Sequence, residues 1–68
     1  MYDYSKLVGR MKEKHYTQET LANAIGITGT SLCKKLNNLS RFTQPEMVSI
    51  LNELDVPISE VSYYFFAK

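Results

Sequence analysis

Two stretches of helical periodicity in the first half of the chain are separated by only three residues, Gly26, Ile27 and Thr28. Leu21, Ala22 and Ile25 share a helical face before the break, and Leu32 and Leu36 share one after it. Gly26 ends the first of these helices, Gln18–Ile25, because glycine enters the left-handed region without a Cβ penalty. Ile27 can then pack back onto the helix it leaves. Thr28 is placed to cap the next helix, expected over Gly29–Asn37. A connection this short forces the pair to cross steeply. Ala22 lies where the helices approach most closely, and a larger side chain there would push them apart. Leu32 and Leu36 anchor the inner face of the second helix, which leaves its outer face exposed.

The other segments are helical too. Tyr4, Leu7, Val8 and Met11 recur at i, i+3, i+4 and i+7. Asp3 is the expected N-cap of that helix, and Lys12, Lys14 and His15 suit the negative end of its dipole. Thr17 is the expected cap of Gln18–Ile25. Asn38–Phe42 reads as a connecting loop. Thr43 opens a fourth helix, with Glu46 completing a capping box and Pro45 tolerated in the first turn. Met47, Ile50, Leu51 and Leu54 form its inward face. Asp55–Pro57 breaks the pattern, since a residue before proline avoids the helical region. A short fifth helix is expected from near Ser59, with Val61 and aromatic residues inward. The expected fold is all-α, a compact five-helix single domain over residues 1–68.

Composition narrows the function. A chain of 68 residues buries only about 60% of its unfolded surface, so its core is small and an enzyme's substrate cavity is not expected. No nucleophile, base and orienting group can be assembled around the lone His15. One cysteine, Cys33, excludes an internal disulfide, and with one histidine no metal cluster or cofactor site is expected. The apolar runs are too short to span a bilayer and the N-terminus lacks a signal-peptide pattern, so a cytoplasmic protein is expected. Net charge is +1, but residues 1–41 carry seven bases against three acids and residues 42–68 one base against four acids. A basic front half suits a protein with one face toward nucleic acid.

The segment QETLANAIGITGTSLCKKLN, residues 18–37, resembles the lambda-repressor-like helix-turn-helix signature of phage Cro and CI repressors and related bacterial regulators. The matching residues are Gln18, Ala22, Gly26, Ile27 and Leu32. The resemblance extends to MYDYSKLVGRM, KLNNLSRFTQ and DVPISEVSYYFF, which are similar to small Cro-type regulators of temperate phages of Gram-positive bacteria. It implies a repressor that binds double-stranded operator DNA, in the cytoplasm of a bacterial host. The second helix of the motif would then enter the major groove. Residues implied at that interface are Thr28, Gly29, Thr30, Ser31, Cys33 and Lys34 on the reading helix, with Gln18 holding a phosphate. Asn37, Asn38 and Arg41 are implied as backbone contacts after it. Lys34 could donate to guanine, and a threonine methyl could touch thymine.

Two positions depart from the family pattern. Gly29 stands where many members have a long polar residue, and it can offer only backbone. Lys35 replaces a usual apolar residue, with Leu36 expected to take over its packing role. Four consecutive aromatics, Tyr63, Tyr64, Phe65 and Phe66, cannot all face one small core. They are open to three readings: core packing, a homodimer contact, or docking to another protein. The modest reading face keeps a second function in play, a protein-interaction module that modulates a companion repressor through a hetero-complex.

Overall fold

Threonine hydroxyls open three of the helices. Thr17 Oγ1 accepts from the Thr20 N–H at 3.1 Å, Thr28 Oγ1 from Ser31 at 3.1 Å and Thr43 Oγ1 from Glu46 at 3.3 Å. Each bond satisfies a backbone donor that has no partner inside its own helix. Thr20 Oγ1 and Glu46 Oε1 return the bond to the Thr17 and Thr43 N–H groups, at 2.8 Å each, closing two capping boxes. The computed structural model, which describes residues 1–68, contains α1 (Ser5–Glu13), α2 (Gln18–Ile25), α3 (Gly29–Leu36), α4 (Gln44–Glu53) and α5 (Val61–Phe65), with no strand. The class is all-α, as the periodicity predicts.

Three element boundaries differ from the sequence expectation. Tyr4 occupies the N-cap position of α1, and Asp3 instead reaches forward from one residue earlier, its Oδ1 accepting from the Ser5 N–H at 2.9 Å. Helix α3 stops at Leu36, with Asn37 as its C-cap. The fifth helix begins at Val61, after a single 3₁₀ turn over Ile58–Glu60.

The first four helices end in the same way. Tyr16, Ile27, Leu39 and Val56 donate backbone N–H to the carbonyls of Met11, Ala22, Lys34 and Leu51 at 2.8 to 2.9 Å. In each case the residue just before has positive φ: His15 at 63°, Gly26 at 83°, Asn38 at 63° and Asp55 at 55°. This is the Schellman ending, which ties off carbonyls the helix leaves free. Only one of the four uses glycine, so a search for glycine alone finds only that helix end.

The core runs through all five helices: Tyr4, Leu7, Met11, Leu21, Ala22, Leu32, Phe42, Ile50, Leu51, Leu54, Val56 and Phe65 are buried. Tyr4, Phe42 and Phe65 meet edge to face, with centroids 5.1 to 6.5 Å apart. The chain termini are pinned beside them. Tyr2 N–H donates to Asn38 Oδ1 at 2.9 Å while Asn38 Nδ2 donates to Tyr2 O at 2.8 Å, and Asp3 N–H donates to Ala67 O at 2.8 Å. At the opposite end α1 holds the C-terminus of α4. Arg10 Nε donates to Leu54 O at 3.0 Å, Lys14 Nζ to Asp55 Oδ2 at 2.9 Å and the Tyr16 hydroxyl to Glu53 Oε1 at 3.1 Å. No helix is long and apolar enough to cross a membrane.

Candidate functional site

The turn Gly26–Thr28 sets the site's geometry. Gly26 takes the left-handed conformation and Ile27 N–H closes onto Ala22 O at 2.9 Å, so α2 ends and α3 begins within three residues. Ala22 and Leu32 are fully buried at the contact between α2 and α3. The small Ala22 side chain lets the helices close up on that side. On the other side the start of α2 and the outer face of α3 enclose an open groove of about 530 Å³, lined by Gln18, Glu19, Gly29, Thr30, Cys33 and Lys34.

Five of the residues singled out from sequence thus meet in one groove: Gln18, Gly29, Thr30, Cys33 and Lys34. All but Gly29 are exposed. Thr28 is exposed too, but its hydroxyl is engaged in capping α3, and Ser31 beside it is half-buried. Asn37 folds back on its own helix, with Nδ2 donating to Cys33 O at 2.8 Å and lying 3.4 Å from Cys33 Sγ. Asn38 has a structural role beside the one expected of it: its amide oxygen and one of its two amide N–H groups bond the Tyr2 backbone and close the N-terminal clasp, which leaves one amide N–H. Arg41 is exposed, but it and Asn38 line a separate, largely aromatic hollow with Tyr2, Phe42 and Phe66.

Lys35 is a correction to the expectation that Leu36 takes over its packing role. It keeps the inward position itself, 7% exposed, while Leu36 is only half-buried. Its Nζ donates to Arg41 O at 2.9 Å and pairs with Glu46 Oε1 at 3.2 Å, joining the end of α3, the following loop and the start of α4. Burial pushes the Glu46 carboxyl up, but the Thr43 N–H and the Lys35 ammonium outweigh it and hold the group below its ordinary value. The arrangement explains how a charge is tolerated at a core position: the ammonium meets both a carboxylate and a carbonyl oxygen.

The basic half of the sequence does not form one basic face. Arg10 and Lys14 are tied to the end of α4, Lys35 is buried, and Lys6 lies 5.0 Å over the Tyr63 ring. Of the α3 lysines only Lys34 stands on the groove. The aromatic tail is divided as well. Phe65 is 1% exposed and belongs to the core, which removes it from any contact surface, and Tyr64 packs partly against the core. Tyr63 and Phe66 remain exposed at 53% and 46%.

Sequence reasoning missed Glu19 as a groove residue. A signal was available: it is adjacent to Gln18 in the first turn of the helix that faces α3. A protein-family profile described as "Protein of unknown function (DUF739)" matches residues 1–68 of the chain. No curated protein matches it.

Proposed function

The chain belongs to the DUF739 family over its whole length, and we propose that it is a sequence-specific DNA-binding transcription regulator. On this reading it is a Cro-type repressor that acts in a phage lysis–lysogeny switch, in the cytoplasm of a bacterial host. The observation that carries the proposal is the groove between α2 and α3. Thr30, Cys33 and Lys34 stand exposed on the outer face of a helix whose inner face is fixed by Leu32 and by the Lys35–Glu46 pair. A rigid helix with a solvent-facing edge of small side chains can enter the major groove of a duplex, where base identity is displayed. Gln18, at the first turn of α2, would hold the neighbouring phosphate, and Lys34 and the Thr30 methyl would read bases.

Selection from random duplex DNA at two salt concentrations tests this. The expected result is one enriched half-site, bound more weakly as salt rises because phosphate contacts release counterions. Absence of any enriched sequence rejects the proposal.

A second reading has its own support. Val48, Ile58 and Phe66 are exposed large apolar side chains around a hollow between α4 and the α5 end of the chain. Such a face suits docking to a companion repressor or to a second copy. Sedimentation of the purified chain, alone and with the companion repressor, separates the cases. A stable hetero-complex without DNA binding would establish the second reading in place of the first.

A further inference from the structure

We propose that Glu19 is a specificity-determining residue, its carboxylate accepting a hydrogen bond from the exocyclic amino group of a cytosine in the major groove. The assignment rests on the DNA-binding reading above and names a contact within it. At Gly29, the first residue of α3, the helix presents backbone alone. The nearest neighbour is Glu19: a Cβ built on Gly29 would lie 3.7 Å from Glu19 Cα and 3.9 Å from its Cβ. The functional group at this point of the surface therefore comes from α2, where Glu19 is exposed and lines the same groove as Thr30 and Lys34. Its carboxylate is uncommitted, since the two ion pairs of the protein use Asp55 and Glu46.

The chemistry of a carboxylate narrows what it can read. It only accepts hydrogen bonds. In the major groove cytosine offers an amino donor, guanine offers only acceptors, thymine offers an acceptor and a methyl group, and adenine sets an acceptor beside its amino donor. Cytosine is thus the base edge that best satisfies Glu19. The same negative charge repels phosphates, so loose docking that brings backbone to this spot is penalised. Lys34, on the same groove, is a donor only. Acceptor and donor side by side give the groove a way to read both strands of a C·G pair or two neighbouring pairs.

The test uses the full chain and the duplex it selects. Competition with single-base variants of that duplex is measured for the unmodified protein, Glu19→Ala and Glu19→Gln, with thermal melting as the check on folding. The unmodified chain is expected to prefer cytosine at one position by roughly fivefold or more. Glu19→Ala should reduce that preference below about twofold and leave the other positions alone, and Glu19→Gln should shift it toward adenine, which an amide can bond twice. The proposal is overturned if no position prefers cytosine. It is equally overturned if both variants keep every preference while binding all duplexes more tightly with a steeper salt dependence, because the carboxylate would then only repel phosphate. Enrichment of no duplex at all by the unmodified chain would reject the DNA-binding function, and this assignment with it.

Discussion

Lys35 carries a charge to a place in α3 where hydrocarbon would be the simpler choice, and its partners make the charge tolerable. The ammonium meets Glu46 and the Arg41 carbonyl, and Glu46 also accepts from the Thr43 N–H. Lys35→Ala deletes the ammonium and its apolar stem, so a loss of about 2–3 kcal/mol is expected. Lys35→Met keeps most of the stem and should lose about 1 kcal/mol. Thermal melting distinguishes the two, because each kcal/mol moves the midpoint of a domain this size by roughly 4–8 °C. The pair also sets an acid limit. The Glu46 carboxyl is held below its ordinary value of 4.5, so the stability it contributes is complete above that value and is lost as pH falls through the lowered one. Urea midpoints taken between pH 7 and pH 3 should fall less for Glu46→Gln than for the unmodified chain. Glutamine keeps the cap to Thr43 but does not titrate. Equal acid sensitivity would mean that other carboxylates, such as Asp55 beside Lys14, set the limit.

At the scale of elements, the helix ends separate what can be read locally from what cannot. Thr17, Thr28 and Thr43 and the turn at Gly26 were legible in the sequence because each acts on backbone groups within three to five residues. The ends near His15, Asn38 and Asp55 were placed by the break in periodicity, but their left-handed backbone was not foreseen, since His, Asn and Asp are only enriched in that region and also occur widely elsewhere. The apolar residue that follows each, Tyr16, Leu39 or Val56, was the available clue. Asn38 escaped for a different reason, because its partner Tyr2 lies 36 residues away in the chain. Lys35 was placed wrongly because nothing local reveals that Glu46 will stand opposite it. These endings make a paired prediction. His15→Gly relieves a left-handed side chain that makes no other bond, and should raise stability by about 0.5 kcal/mol. Asn38→Gly gains the same freedom but breaks both bonds to Tyr2, and should lower stability by about 1 kcal/mol. If Asn38→Gly instead raised the melting midpoint as His15→Gly does, the N-terminal clasp would carry no net stability.

Over the whole molecule, the sequence's division into a basic front and an acidic back dissolves on folding. Arg10 and Lys14 of the front reach Leu54, Asp55 and the end of α4 in the back, so the charge halves bind each other. Four consecutive aromatics divide similarly between roles. Phe65 packs edge to face on Phe42 and Tyr4, and Phe65→Ala should cost about 3–5 kcal/mol. A domain of this size has on the order of 3–10 kcal/mol in total, so a large unfolded fraction is expected near physiological temperature. Phe66→Ser should cost much less, about 1 kcal/mol, because nearly half of that side chain already faces solvent and the loss is mainly its edge-to-face contact with Tyr2. What remains as a candidate binding surface is small, a groove formed by the first turn of α2 and the outer face of α3. Its scaffold was legible in Ala22, Gly26, Ile27 and Leu32, and five of its six lining residues were named from sequence. Glu19 was missed because its place on the groove depends on how closely α2 meets Gly29. The central claim is that this groove holds DNA. Its most direct test is the affinity of the Thr30→Ala/Lys34→Ala double variant for the selected duplex, by fluorescence anisotropy at fixed salt. We expect binding at least about tenfold weaker than that of the unmodified chain, with an unaltered melting curve. Equal affinity in an equally stable variant would contradict the claim and move the interface elsewhere.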